Sequence, residues 1–418
     1  MRPRIVIVGA GFGGLAAAEG LARANAEITL IDRQNHHLFQ PLLYQVATAG
    51  LSPADIAWPV RHLLRRQRNL RVLMAEVTAV KPGRKVVTLA DGPLAYDWLV
   101  LATGATHGYF GRDEWAEHAP GLKTLDDATG IRRRLLLAFE RAEMASNPAT
   151  SARLLTIVIV GGGPTGVELA GAVAELARKA LARDFREIDP RQTRVLLIEA
   201  GPRLLPNFPE ELSRYTASAL QRLDVEVRLG QAVTRCDARG VQMGSEFIEA
   251  GTIVWAAGVR ASPAAEWLGI EADRAGRVLV ASDLSVPGHD NIYVIGDTAL
   301  ARNPNRAQLP GIAPVAKQQG TYVARAILAR IAGRAPLPPF VYRDRGLLAT
   351  IGRKAAVISY KRLRLSGWLA WWLWGAAHIY FLVSLRNRLI VVTQWLWSYV
   401  VFERGARLIT GSDAGARR

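Results

Sequence analysis

The feature that most restricts this chain occurs twice: an apolar strand runs into three spaced glycines and then a small-residue helix. It reads "RIVIVGAGFGGLAAAEGLA" first and "LLTIVIVGGGPTGVELAGAVAEL" later. In the first copy, residues 4–8 lead to Gly9, Gly11 and Gly14. Gly9 permits the tight turn, Gly11 lets the backbone approach a pyrophosphate, and Gly14 lets helix and strand pack closely. The helix N-terminus offers unpaired N–H groups and a positive dipole end to phosphates. The next strand, "AEITLIDR", ends at Asp32, placed for a ribose hydroxyl. A lone GxGxxG is weak evidence, but strand, helix and acid together make it strong.

The second copy places strand 155–160 before Gly161, Gly163 and Gly166. Its following strand, "RVLLIEAG", is delayed to 194–199 by a helical insertion, "ARKALARDFREIDPRQ", and ends at Glu199. A carboxylate there accepts the ribose 2′-OH of NADH and repels the 2′-phosphate of NADPH. Arg203 lies close enough to weaken that preference. Two more buried strands end usefully: "YDWLVLATGA" at Thr103 and Gly104, and "NIYVIGDTA" at Gly296 and Asp297. Both suit a flavin's ribityl or pyrophosphate region, although Asp297 also suits a helix N-cap. "TIVWAAGV" (252–259) is the second domain's counterpart of "LVLATGA". The expected fold is α/β, with two Rossmann-like dinucleotide-binding domains, FAD on the first and NADH on the second.

One cysteine, Cys236, excludes an internal disulfide and a CxxC redox pair. Its surroundings, "TRCDARG", hold no His or second thiol, so it reads as structural. The histidines show no metal-ligand spacing, and no metal is expected. The net charge of +17 invites a nucleic-acid reading, but its distribution points elsewhere. From Arg343 onward there are thirteen Lys/Arg against three Asp/Glu, beside a Trp-rich stretch. That combination suits an anionic lipid surface better than a duplex, so no nucleic-acid partner is expected. The basic run "RHLLRRQRNLR" (61–71) reads as a solvated helix face. A strand begins almost at residue 1, so no signal or transit peptide is expected before the fold.

Taken together, the motifs resemble those of the two-dinucleotide-fold flavoprotein reductases. The resemblance implies an FAD domain over 1–125 and 286–345, interrupted by an NADH domain over 150–285. Residues 346–418 remain as a C-terminal membrane-anchoring region. Disulfide reductases and sulfide:quinone oxidoreductases work through cysteines and are excluded by the single Cys236. What remains is a branch whose flavin passes electrons directly to an acceptor.

The finer resemblance is to the type II NADH:quinone oxidoreductases, and it covers nearly the whole chain. "NHHLFQPLLYQVATAGL" (35–51) looks like their loop beneath the isoalloxazine, with Gln40 among the flavin contacts. "GGGPTGVELAG" (161–171) is similar to their second fingerprint. "APVAKQQGTYVARAI" (313–327) resembles their segment near flavin and quinone, with Ala316 at the flavin. "SLRNRLIVVTQW" resembles their C-terminal anchor. One departure stands out: the family commonly has A-Q-x-A-x-Q at the quinone pocket, and Pro314 takes the first glutamine's place while Gln318 keeps the second.

By resemblance, NADH gives a hydride to FAD, and two electrons then pass to a membrane quinone. This is entry to the respiratory chain without proton pumping, at the cytoplasmic face of a prokaryotic plasma membrane. Homodimers are common in the family, and no seam is legible here. Glu168 is implied to lie near nicotinamide and flavin and to influence turnover; the plainer role is to answer the helix dipole. Gln318 and Gln319 are either quinone contacts or polar helix positions. Outside this reading stand a soluble flavin reductase serving a small electron-carrier protein and a redox-sensing flavoprotein.

The uncharged run Leu365–Leu385 has 21 residues, about 31 Å as a helix and barely one span. Trp368, Trp371, Trp372 and Trp374 occupy one end and the middle, whereas belt tryptophans mark both interfaces. Arg and Lys flank both ends, without a positive-inside bias. The next apolar run, 389–402, is too short to return. Two helices lying in the interface are expected, with apolar and Trp faces in lipid.

Overall fold

In the computed structural model, both fingerprints fold as strand, turn and helix. β1 (Arg4–Val8) leads into α1 (Phe12–Gly20), and β2 (Thr156–Val160) leads into α2 (Pro164–Glu175). Three later helices matter: α3 (Ala313–Ile331), α4 (Trp368–Phe381) and α5 (Leu385–Val401). The structure describes residues 2–305, 307–382, 385–401 and 405–410. Arg404 and part of the 389–402 run lie outside them.

Contacts divide the chain into two compact units. The first holds residues up to Leu38, Ala57–Thr106 and Val259–Arg345; the second holds Phe39–Ile56, His107–Gly258 and the described residues from Gly346 onward.

In the first unit, six strands stand in the order Ser285–Val286, His289–Val294, Trp98–Leu101, β1, Glu27–Asp32 and Leu70–Met74. Every pairing is parallel except the edge strand Ser285–Val286. In the second unit, Val225–Leu229, Arg194–Glu199, β2 and Thr252–Trp255 form an all-parallel sheet. A parallel sheet covered on both faces needs continuous apolar runs, which is why "IVIV" and "TIVIV" are buried throughout. Each fingerprint strand is internal, with the next strand of its sheet on one side and a later strand on the other. Such a switch point opens a crevice beyond the strand's carboxyl end, and the glycine turns sit there.

α1 packs on α3 through small residues. A Cβ on Gly320 would lie 2.1 Å from Gly13 O, and one on Gly20 would lie 2.6 Å from Ala324 Cβ. The insertion after α2 forms a π-helical turn, Leu176–Ala180, and a 3-10 turn, Pro190–Gln192, rather than a regular helix. Pro190 cannot donate within a helix, and the Glu143 carboxylate instead accepts the backbone N–H groups of Arg186, Glu187 and Ile188.

Beyond Gly346 the second unit adds an antiparallel sheet, Leu347–Thr350, Ala356–Tyr360 and Leu363–Gly367. α4 and α5 follow it. The long apolar run does not make one helix, because α4 stops at Leu382, whose backbone is extended. Arg388 takes the freed ends: its Nε donates to Leu382 O at 2.8 Å and its Nη2 to Tyr380 O at 2.7 Å. Among the described residues, no helix is long and apolar enough to cross a membrane.

The tryptophans also divide differently from a uniform lipid face. Trp368, Trp372 and Trp397 are exposed, while Trp374 is buried. Residues four apart share a helix face, so Trp374 turns inward with the fully buried Ala370.

Candidate functional site

Two crevices of the same construction emerge, one in each unit. In the first, Gly9 has φ +100°, and a Cβ there would lie 2.3 Å from Ala102 O. A Cβ on Gly14 would lie 1.8 Å from Gly9 O. These two glycines are required by the protein itself. Gly11 is different: it caps α1 with an ordinary φ of −68°, and an added Cβ would meet nothing within 4 Å. The second crevice repeats the arrangement. Gly161 has φ +115° against Ala256, and a Cβ on Gly166 would lie 1.8 Å from Gly161 O. Gly163 caps α2 with φ −72° and open space around its absent Cβ. Among the described residues no atom bars a side chain at Gly11 or Gly163, and the open space beside each helix N-terminus is of the kind a pyrophosphate can use.

The acids close each turn in the same manner. Asp32 Oδ2 accepts from Ala10 N at 2.6 Å and Oδ1 from Gln34 N at 2.8 Å. Glu199 Oε2 accepts from Gly162 N and Oε1 from Gly201 N, both at 2.6 Å. Each carboxylate oxygen keeps a further lone pair for a ribose hydroxyl. Arg203 does not reach toward Glu199 as a free cation. Its Nη1 donates to Phe208 O at 3.1 Å and its Nη2 to Pro206 O at 2.6 Å.

The remaining first-unit candidates form one connected rim. Thr103 Oγ1 lies 2.5 Å from Ser262 Oγ and 3.2 Å from Thr298 Oγ1, and Thr298 Oγ1 donates to Gly104 O at 3.1 Å. Gly104 and Gly296 both have positive φ, +69° and +71°. Ala316 lies against Gly296, whose Cβ would be 3.4 Å from the alanine's own. Gln319 is 1 % exposed, and its Oε1 accepts from Gly296 N at 2.7 Å. Asp297 sits inside the 3-10 turn Gly296–Thr298, whose N-cap is Ile295, so it is not a helix N-cap. Gln318, three-tenths of a turn away on α3, is tied elsewhere: its amide donates to Arg343 O at 2.9 Å and accepts from Arg343 N at 3.0 Å.

Curated relatives and solved structures agree with this layout. Residues 3–320 match the pyridine nucleotide-disulphide oxidoreductase family, and residues 345–404 match the NDH2 C-terminal domain. The type II NADH:quinone oxidoreductase Ndh of Mycobacterium tuberculosis is 44% identical over 431 aligned positions, covering 100% of this chain and 92% of that protein. The chain belongs to the type II NADH:quinone oxidoreductases. A Staphylococcus aureus type II NADH:quinone oxidoreductase is 31% identical, over 84% of this chain and 88% of its own. The fold also matches the solved NDH2 of Plasmodium falciparum in complex with NADH, with TM-score 0.89, 21% identity and coverage of 98% and 100%. In this type II oxidoreductase the one cysteine is buried, and burial pushes its thiol up to about 11, far from a reactive thiolate.

Two candidates of the second unit complete the census. Gln40 opens a short 3-10 turn and donates to Lys123 O at 3.3 Å; it is not grouped with the first-unit rim. Glu168, in the first turns of α2, is 9 % exposed. Burial pushes its carboxyl up to about 8, although a 3.3 Å hydrogen bond from Thr350 N pulls the other way. Around it α2 and the C-terminal sheet approach closely: a Cβ on Gly171 would lie 2.6 Å from Gly352 N, and Glu175 accepts from Arg353 N.

His37 escaped sequence reasoning. It is 2 % exposed, and its Nδ1 lies 2.8 Å from Ala10 O, so Asp32 and His37 hold both backbone polar groups of Ala10 in the glycine turn. Burial lowers its pKa, which keeps the ring neutral. The adjacent pair "HH" in a short strand after Asp32 was the available signal.

Proposed function

We propose that the chain oxidises NADH on FAD and passes two electrons to a quinone at a membrane surface. The observation that carries this is the pair of acid-closed crevices, each with a helix-capping glycine beside open space that suits a pyrophosphate. FAD supplies hydride acceptance and two-electron delivery when bound. The chain supplies position: Gly11 and Asp32 hold FAD on residues 1–125 and 286–345, and Gly163 and Glu199 hold NADH on 150–285. Thr103, Gly104, Gly296, Asp297, Ala316 and Gln40 complete the flavin's surroundings. Gln319 fixes the Gly296 peptide. Glu168 stays protonated near neutral pH and carries a proton within a buried setting, while a quinone contact by Gln318 is what the family resemblance implies and would require it to leave its two hydrogen bonds to Arg343.

Residues 346–418 bring this chemistry to lipid. Trp368, Leu369, Trp372, Leu373, Tyr380 and Phe381 are exposed on α4, and Leu389, Leu396 and Trp397 on α5. With the neighbouring Arg and Lys they suit a monotopic seat on anionic head groups, at the cytoplasmic face. A reductase serving a small carrier protein would leave those aromatics without purpose.

The test is purified protein assayed with NADH, NADPH and short-chain quinones, together with its absorption spectrum. Quinone-dependent NADH oxidation by a yellow protein is expected, and a colourless protein overturns the reading.

A further inference from the structure

The two crevices hold their glycine turns by the same hydrogen bonds, drawn from different donors. In each, the acid takes the N–H of the residue between the first two glycines: Asp32 that of Ala10, Glu199 that of Gly162. The carbonyl of the same residue is also held. Gly162 O accepts from the backbone N–H of Leu205 at 2.8 Å, and Ala10 O lies 2.8 Å from His37 Nδ1. A carbonyl only accepts, so Nδ1 carries the proton and donates.

The chain after each acid decides which donor is at hand. Beyond Glu199 it folds back over Gly162, whose Cβ would lie 2.6 Å from Leu204 Cδ2, and Leu205 adopts φ +49° there. Beyond Asp32 it enters the short strand His36–Leu38, paired with Ala57–Pro59. Alternation along that strand buries His37 and leaves His36 and Leu38 half-buried. The His37 ring also stands perpendicular to that of Phe12, the first residue of α1, with centroids 5.1 Å apart. It therefore touches the residues on both sides of Gly11.

Ala10 C=O and Gly11 N–H belong to one trans peptide and point in opposite directions. Among the described residues the Gly11 N–H has no acceptor, and a Cβ on Gly11 would meet nothing within 4 Å. Fixing the carbonyl thus fixes the direction of an open donor at the α1 N-terminus. We propose that His37 is a positioning residue for FAD: by holding Ala10 O it aims the Gly11 N–H at the cofactor's pyrophosphate. The assignment rests on the reading that this pyrophosphate lies against Gly11. The peptide then acts as a relay, because a phosphate oxygen accepting from Gly11 N–H polarises the Ala10 carbonyl and strengthens the bond from His37.

The test uses the full-length, FAD-loaded protein. His37→Phe keeps a buried ring and removes the donor, whereas His37→Asn places an amide N–H near the position of Nδ1. Flavin fluorescence on release should show FAD leaving His37→Phe about tenfold faster than wild type, as expected for one lost hydrogen bond. His37→Asn should release it at close to the wild-type rate. Phosphorus NMR resonances of the bound pyrophosphate should move in His37→Phe and return in His37→Asn, which a general loss of stability would not produce. Unchanged release and unchanged resonances in His37→Phe overturn the proposal, and so does failure of Asn to rescue. A measurement on the wild type covers variants that do not fold. With isotope-labelled histidine, loading the apoprotein with FAD should move a buried ring N–H resonance downfield, and no movement overturns the assignment. A Gly11→Ala protein that keeps FAD as tightly as wild type removes the pyrophosphate reading instead.

Discussion

Replacing Glu168 with Gln tests whether this carboxyl is neutral in the folded chain. Its ordinary pKa of 4.5 rises to about 8 because α2 and the C-terminal sheet bury it with one N–H partner. A raised pKa means that the folded state holds the proton more tightly than the unfolded state. Stability is therefore greatest below the unfolded value and declines as pH rises from 4.5 toward 8, then levels off. The whole window corresponds to at most about 5 kcal/mol, and the part between about pH 5.5 and pH 8 to about 3 kcal/mol. Gln has the same shape and no proton to lose. Urea midpoints with FAD in excess, measured across that range, should fall with pH in the wild type by this extra amount and stay flatter in Glu168→Gln. Parallel profiles would refute a neutral buried acid at this position. The same substitution addresses mechanism. Quinone-reductase turnover should drop in the variant, and wild-type kcat should fall as pH rises through about 8. Unchanged turnover removes Glu168 from the reaction.

Gly11→Ala should release FAD while leaving the stability of the apoprotein within about 0.5 kcal/mol, since its Cβ meets no protein atom. Gly163→Ala should raise the NADH KM and retain the flavin spectrum; Gly14→Ala, whose Cβ would strike Gly9 O, should instead destabilise the fold. Glu199→Gln should raise the NADPH-to-NADH ratio of kcat/KM about tenfold by removing one repelling charge. A larger gain would show that Arg203 leaves its two carbonyl partners to bind the 2′-phosphate. Alkaline carbonate should release the protein from membranes; release by detergent alone would refute a monotopic seat.

The parts of the fold legible in the sequence are those whose physics is local. "RIVIVGAGFGG" contains its strand, its turn and its helix cap within a few residues, so propensity and pattern are enough. The parts that escaped depend on partners far along the chain. Glu168 meets Thr350 across 182 positions, and no periodicity in α2 announces that the approach of a distant sheet will neutralise it. Gln319 reads as an ordinary polar helix residue until Gly296 N, 23 positions earlier, takes its oxygen. The Trp-rich run shows the same limit at shorter range. Hydropathy records that residues 365–385 are apolar, but Arg388, beyond the run, captures two carbonyls and ends the helix at Leu382. Once the helix is short, rotation decides each tryptophan's surroundings: Trp368 and Trp372 face outward, and Trp374 turns into the protein. One stretch of similar residues thereby divides into a surface suited to lipid and a ring buried in the fold.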